Sequence, residues 1–593
     1  MSEYLLRLWT FGYLMLLVRK LINMVIMGLM VILLVNSTNS IAIPLDSGYY
    51  PTSIEPEDWV WSNIEIVSSE STSISSSANI AVDLNDNIHV VWVDNTDYNG
   101  AGTDFDIFYK KFDRSTSTWG SAVVISSEST SGSFSPNMVV DNQNNIHIVW
   151  HDYTDYDGSG GDGDIFYKKY DYSTSTWGTT VIVSTESGDA SQIPVIDIDS
   201  NGNLHVVWSD YTDYNGVGTD IDIFYKKYDS STNTWGDSIV LSIDSTSDSE
   251  SPSLKIDGKN NVHVVWSDYT GIYGIANTHI VYRKYDTITS NWNPIEVIWT
   301  PSSATNNALH PKLAIDNLDN LHVAWVDNSP ILSSGNDYDV LYRKYISTYS
   351  MWGAISVLST DSDTYISGVT LGVDKFNNLY CAWMDDYVAS TNNIKYRIFN
   401  FETGAWSQRK YIAFDSRYTS GSPSISFDSL GFAHVVWSDK YNTETAGTDY
   451  DIYYRSYSGL PTRTDLNTIN PNPTDDSVGI TWDPSLGAST YNIYRSTDPI
   501  YDLTGLSPHA TTESLYYVDH FDESGFFYYV ITGVNYLGEG EMSNMEYVEV
   551  NLVILNNLQN SSEITSDPAN FPTLWIVTIF ISAMVIRNRN KRS

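Results

Sequence analysis

The chain of 593 residues has one cysteine, Cys381, and only 31 Lys plus Arg. A single thiol excludes an intrachain disulfide framework and a thiolate-built metal site. The shortage of basic residues leaves 72 Asp plus Glu unbalanced, a formal charge of -41. A nucleic-acid partner needs a basic patch, so that class is excluded. What is abundant points elsewhere. Apolar residues make up 42% of the chain, and 43 Tyr and 19 Trp raise the aromatic share to 13%. A sizeable core is available and global disorder is excluded. The length suits two to four domains.

Both ends carry targeting patterns. Arg7, Arg19 and Lys20 precede an apolar run from Leu21 to Val35, and Ser40-Ile41-Ala42 follows. Basic region, apolar region and small-residue exit are the order of a signal peptide or N-terminal anchor, placed at 1–42, with a linker at 43–57. At the other end an apolar stretch at 571–587 is followed by Arg589, Lys591 and Arg592 in a basic tail at 588–593. It is somewhat short for a span of about 20 residues, which a thin bilayer accommodates. The basic tail is expected to stay cytoplasmic and the bulk outside the cell. The segment resembles the C-terminal anchors of archaeal and bacterial surface proteins. A polar linker at 552–570 isolates it.

Between the ends lies a repeat. The motif His-Val-Val-Trp-x-Asp recurs with Trp92, Trp150, Trp208, Trp266, Trp325, Trp383 and Trp437, at steps of 58, 58, 58, 59, 58 and 54. Two residues after each Trp stands Asp94, Asp152, Asp210, Asp268, Asp327, Asp385 or Asp439. Nine residues before stands Asp83, Asp141, Asp199, Asp257, Asp316, Asp374 or Asp428. Each unit reads as four short strands separated by Asn/Gly/Asp or Ser/Thr turns, typified by Ser251–Asp257, His263–Trp266, Asp222–Lys226 and the piece starting at Trp235. Repeated four-stranded antiparallel units are propeller blades. The fourth strand, opened by Trp119, Trp177, Trp235, Trp292, Trp352 and Trp406, is missing from the last unit. Trp61–Glu70 matches Trp119–Glu128 at an offset of 58, so the first strand is predicted to complete the last blade. The sequence predicts an all-β protein: a seven-bladed β-propeller over 58–458, closed by its N-terminal strand.

The Asp-x-x-x-Asn-x-His-Val-Val-Trp-x-Asp core and the Asp-Ile-Phe-Tyr strand resemble the sialidase-like, Asp-box-related repeats of prokaryotic surface proteins, over 58–458. The turn before Trp119 departs from the Asp-box pattern: Asp113 lies six residues before Trp119 and no Gly intervenes. The resemblance implies the fold. Its enzymes grip a carboxylate with three Arg and use a Tyr–Glu nucleophile pair and an Asp acid. The candidate arginines here, Arg283, Arg343, Arg397 and Arg455, all follow the third-strand Tyr, where other blades have Lys110, Lys168 and Lys226. They share one phase in different blades, and the innermost strand holds none, so no catalytic residue is assigned. The repeated His89, His147, His205, His263, His322 and His434 read as packing and hydrogen-bonding elements, since a catalytic His is one special residue with a partner.

After a linker at 459–470, residues 471–551 leave the repeat. Trp482, Tyr491–Tyr494 and Phe527–Asn535 read as strands, similar to a fibronectin type III β-sandwich. A spacer role between propeller and membrane is expected.

The loops after the phased Asp carry the functional expectations. Asp94 with Tyr98, Asp152 with Tyr153 and Tyr156, Asp210 with Tyr211 and Tyr214, Asp268 with Tyr269, and Asp327, Asp385 and Asp439 are predicted to form a ligand-binding face. Exposed Tyr stacks on sugar rings while Asp bonds hydroxyls. Asp155, Asp157, Asp162 and Asp164 crowd one Gly-rich loop, a candidate calcium site, because calcium takes many oxygen ligands. An alternative is that these are Asx and Gly turns on a solvated rim. The functional expectation is a membrane-anchored cell-surface protein whose propeller binds an extracellular glycan or protein. A glycosidase or lyase of the sialidase superfold and a structural coat component are the alternatives.

Overall fold

A computed structural model describes residues 60–550, apart from 215, 272–277, 302, 304, 332–336, 360–365, 388–390, 414–420, 441–448, 470–476 and 536. The segment at 1–42 expected to be a signal peptide or anchor, the linkers expected at 43–57 and 552–570, the apolar segment at 571–587 and the basic tail lie outside the described residues. Among the described residues no helix is long and apolar enough to cross a membrane.

The repeat folds as a succession of antiparallel sheets, an all-β arrangement of the β-propeller kind. The third repeat shows the pattern. Ser191–Ile198, Leu204–Asp210 and Asp222–Asp229 pair in sequence order, and an outer edge, Thr234–Trp235 then Ile239–Val240, pairs with the last of them. Each repeat makes one such sheet, seven in all among the described residues. The last is completed from the start of the chain: Val60–Trp61 and Glu65–Ile66 pair with Asp451–Ser458, Trp61 opposite Tyr457 and Ile66 opposite Tyr453. The 58-residue offset predicts this pairing. Inner strands contact their neighbours in a closed cycle, Ser424–Phe427 of the last sheet against Ser75–Val82 of the first. Ser429 donates from N–H and Oγ to Asp86 across that closure, at 2.7 and 2.8 Å.

The phased residues explain why one sequence motif makes one sheet. In the first sheet Asp83 accepts the Asn85 and Asn87 N–H groups at 2.9 and 2.8 Å and closes the first hairpin. His89 lies 3.2 Å from Asp83 and 2.7 Å from the Tyr109 hydroxyl, tying first, second and third strands together. The hairpin needs a left-handed residue, supplied by Asp86, Asn144, Asn260, Asp319 and Asn377 and by Gly202 and Gly431. The Trp of the second strand is wholly buried between sheets.

The third-strand cations join neighbouring sheets. Lys110 donates to the Val67 carbonyl at 2.9 Å and pairs with Glu70 at 2.6 Å; Lys168 and Lys226 repeat this with Glu128 and Glu186. Arg283, Arg343 and Arg455 donate in the same way to the carbonyls of Leu241, Ile298 and Ile412. These arginines are staples on the outer half of each sheet.

Residues 477–550 form a second β module. Ser477–Thr481 pairs with Tyr516–His520, while Thr490–Ser496 pairs with Gly525–Asn535 in the other sheet. Its core holds Trp482, Tyr491, Ile493, Phe527, Tyr529 and Ile531. The linker expected at 459–470 is shorter than its composition suggests. Leu466 and Ile469 are buried in this core, and Leu466 bridges to Trp482. Two apolar residues three apart carry no strand alternation, so the sequence hid them.

Candidate functional site

The phased aspartates of the expected binding face do not reach solvent. Asp94, Asp152, Asp210, Asp268, Asp327, Asp385 and Asp439 are all buried. Each of the first three accepts a Trp indole N–H, from Trp92, Trp150 and Trp208 at 3.0, 3.0 and 2.7 Å. Asp94 also takes the Ser75 hydroxyl at 2.7 Å and the Thr96 N–H at 2.9 Å. Asp385 is paired with Lys395 at 2.6 Å. A buried carboxylate needs partners, and the repeat provides them internally. These residues hold the start of each loop, and their burial corrects the expectation that they face a ligand.

The loop tyrosines divide into two sets. Tyr98, Tyr156 and Tyr214 pack on Phe108, Phe166 and Phe224, with ring centroids 5.9, 5.8 and 5.7 Å apart. They belong to the sheet core. Tyr153, Tyr211 and Tyr269 follow the buried Asp directly. Their N–H groups bond the carbonyls of Gly132, Ala190 and Asp248, one residue before each inner strand, at 3.2, 3.1 and 2.8 Å. That places all three at the ends of the inner strands, in three consecutive sheets. The same position holds Asn95, Asn328, Asp386 and Lys440 in the other four.

Around these tyrosines the inner strands present polar side chains. Gln192 donates from Nε2 to the Tyr153 hydroxyl at 3.1 Å. Burial, then Asp248, pushes the Glu250 carboxyl above the usual range. Burial, then Glu250, pushes the Tyr211 hydroxyl up, and Tyr269 is raised by the same two causes in the same order. Gln192 and Glu250 were missed by sequence reasoning. The available signal was divergence: the second inner-strand residue is Ser76, Phe134, Gln192, Glu250, Leu309 or Ser367, while the residue before it is Ser in the first four repeats.

The next residue of each strand is bulged. Ser77, Ser135, Ile193, Ser251 and His310 have φ between 50 and 56°, joined by Gly368 at 60°. The register slips there, as between Gln192 and Val195. A left-handed Ile is strained, since Cβ crowds the backbone, and Ile193 has no local compensation such as an Asn side chain gives. Bulges of this kind re-aim side chains at a sheet end.

The aspartates of the expected calcium loop take different surroundings. Among the described residues no three His, Cys, Asp or Glu side chains converge to hold a metal ion. Asp155 Oδ1 accepts the Gly160 N–H at 3.2 Å, and Asp157 is exposed in a left-handed turn. Asp164 is buried and takes the Ser184 hydroxyl at 2.8 Å, while Asp162 lies against Gly160. Asp164 enters the strand and Asp155 faces water; burial raises the Asp164 carboxyl against its bonds to Ser159 and Ser184, and nearby Asp162 raises it further. A cleft of about 340 Å³ between the first two sheets is lined by His89, Tyr109, Tyr170 and Trp177, all repeat residues already used in packing.

No protein-family model matches the chain, and no curated protein matches it. Among solved structures it is similar to an ulvan lyase, 11% identical, over 64% of this chain and 94% of that one at a TM-score of 0.44. A fungal alcohol oxidase in complex with copper matches at 12% identity over 83% and 99%, TM-score 0.45. An intramolecular trans-sialidase from Ruminococcus gnavus matches at 11% identity over 67% and 97%, TM-score 0.36. Similarities this distant, to three different chemistries, leave function to be argued from this chain's own residues.

Proposed function

We propose that the chain is a cell-surface protein whose closed seven-bladed propeller binds an extracellular glycan at the mouth of its central channel. The apolar segment at 571–587 is its membrane anchor, and the module after the propeller is a fibronectin type III-like spacer. The observation that carries the reading is the arc of Tyr153, Tyr211 and Tyr269 on three consecutive sheets, at a position where the repeat elsewhere has Asn, Asp or Lys. Partly buried tyrosines give flat apolar faces for sugar rings with a polar tip at the rim. Gln192 and Glu250 stand beside them to bond hydroxyls.

Titration of the full chain against arrayed glycans, followed by calorimetry on the retained ones, tests this. Tyr211→Ala is expected to weaken binding by roughly tenfold while leaving the melting temperature nearly unchanged. Tyr98→Ala is expected to do the reverse, because Tyr98 packs on Phe108. An array that retains nothing, or equal binding by Tyr211→Ala, would sink the proposal. A glycosidase or lyase is the second reading, and the specific observation for it is Glu250, a carboxyl with a raised pKa beside Tyr211. Turnover of a retained glycan by the wild type, lost in Glu250→Gln, would establish it.

A further inference from the structure

Lys312 stands on the fifth inner strand, Ala308–Ile315, between buried Pro311 and Leu313. The inner strands of the fourth and sixth sheets contact this strand on either side. The Lys312 side chain is exposed to water, yet protein crowds it, and that desolvation pushes its ammonium below the usual lysine range.

The same position in the other sheets is Asn79, Asn137, Val195, Ser253, Thr370 and Ser424. Four of these turn to the next inner strand as acceptors. Asn79 takes the Met138 N–H and Asn137 the Ile196 N–H, both at 3.0 Å. Ser253 takes the Leu313 N–H at 3.1 Å, and Ser424 the Ile80 N–H at 3.4 Å. An ammonium has three donors and no acceptor, so Lys312 cannot play this part. Nor is it neutralised. Lys110, Lys168, Lys226 and Lys395 each meet a carboxylate within 2.8 Å, and Lys255 lies 3.6 Å from Asp197. Among the described residues Lys312 has no ion pair or hydrogen bond. Every other residue at its position around the ring is uncharged. In a chain of charge -41 an unpaired, enclosed ammonium is out of character. Two residues towards the mouth, exposed His310 lies 3.0 Å from the Ser251 hydroxyl, a second polar pair facing the same space.

We propose that Lys312 is an anion subsite, which takes a carboxylate or sulfate group of an acidic glycan seated at the channel mouth. This rests on the glycan reading and specifies its substrate class. The full chain is titrated with polygalacturonate, dextran sulfate and neutral dextran, alongside Lys312→Met and Lys312→Arg. Either acidic polymer is expected to bind more tightly than dextran, and the one that does identifies the group as carboxylate or sulfate. Lys312→Met lowers that affinity roughly tenfold, Lys312→Arg largely keeps it, and dextran binding does not respond. In a separate arm, inorganic sulfate or acetate is expected to slow the labelling of Lys312 by an amine-reactive reagent, with Lys259 as the exposed control. Equal binding of all three polymers together with indifference to Lys312→Met overturns the subsite and leaves the glycan reading standing. Failure of every polymer with persisting anion protection of Lys312 overturns the glycan reading and keeps the subsite. No protection and no polymer binding overturns both.

Discussion

A chain lacking residues 58–69 is expected to lose its cooperative unfolding transition and to aggregate. Those residues are first in the propeller sequence and last in its ring. Trp61 packs edge-on against Tyr396, centroids 5.4 Å apart, and against Tyr457 at 5.2 Å. Ile66 packs on the same core as Trp61, while Val67 is wholly buried in the neighbouring one shared with the first sheet. The Ser62 and Val67 N–H groups bond the Ser456 and Ile452 carbonyls at 2.8 and 2.7 Å. The Ser68 hydroxyl donates to buried Asp451 at 2.8 Å, and Lys110 of the next sheet loses the Val67 carbonyl. Three apolar side chains and the strand's backbone and hydroxyl hydrogen bonds come to on the order of 10 kcal/mol, as much as a whole domain's stability, even though Lys110 keeps its pair with Glu70. The deletion also bares the Asp451–Ser458 edge for pairing with another chain. Thermal unfolding with light scattering measures the effect. Restoring the segment through a flexible linker between Ser458 and Gly459 is expected to recover the transition. A deleted chain melting within a few degrees of the parent would show that the ring does not depend on this strand.

The second large effect concerns acid. The melting temperature is expected to fall by roughly 5–10 °C between pH 7.5 and pH 5. Burial pushes His89, His147, His263, His279 and His322 below the usual histidine range and His151 down to about 4, and surrounding protein, then Lys312, lowers the more exposed His310. Such groups stay neutral in the native chain but take a proton when unfolded below about pH 6.5, so their contribution is present above that pH and lost as it falls. Asp106, Asp222, Asp374 and Asp451 pull the other way. Burial, with neighbouring carboxylates around the first, second and last of them, raises each to about 6, so each costs stability above that pH and stops costing as it protonates. Burial raises Asp164, Asp268, Asp327 and Glu250 as well, so the opposing carboxyls are no fewer than the histidines; the sign is set by His89, His147, His263 and His322, the most enclosed of all these groups. Further acid removes the support of Asp83 and Asp141, whose bonds to Asn and His hold them low against the opposing pull of burial. Calorimetry at pH 7.5, 6, 5 and 4 reads the balance. Asp222→Asn keeps an acceptor for the Ser242 hydroxyl and removes one opposing group. It is expected to raise the melting temperature at pH 7.5 and not at pH 5. A wild-type chain as stable at pH 5 as at pH 7.5 would refute the assignment.

These expectations differ in how much of them the sequence could supply. The Trp phase and the copy of Trp61–Glu70 were enough to anticipate the pairing of the first strand with the last unit, because a missing edge in one place and a spare strand in another have few other solutions. The repeated His was legible as structural for the same reason: a role played six times is not a catalytic one. The face of the binding site was less legible. Asp210 and Tyr211 are neighbours in sequence with opposite fates, since successive residues leaving a strand point apart. Asp210 turns inward to Trp208 and Ser191, while Tyr211 turns towards Glu250, a residue of the next repeat. Closeness along the chain did not say what surrounds each of the four aspartates of the Gly-rich loop. The fold puts Asp164 in a strand against Ser184 and leaves Asp155 on a solvated turn.

The sequence by itself therefore determined what is periodic: the strands, the hairpin turns and the inter-sheet staples, whose bonds recur at constant separations within and between adjacent repeats. Only the tertiary structure decided what breaks the period. Tyr153, Tyr211, Tyr269, Glu250 and Lys312 are spread over several repeats and mean nothing until the inner strands of successive sheets pack against one another. Repetition is cheap to read because each unit solves the same local packing problem. The ring's centre is the place where the units face one another, and there the chain is free to differ.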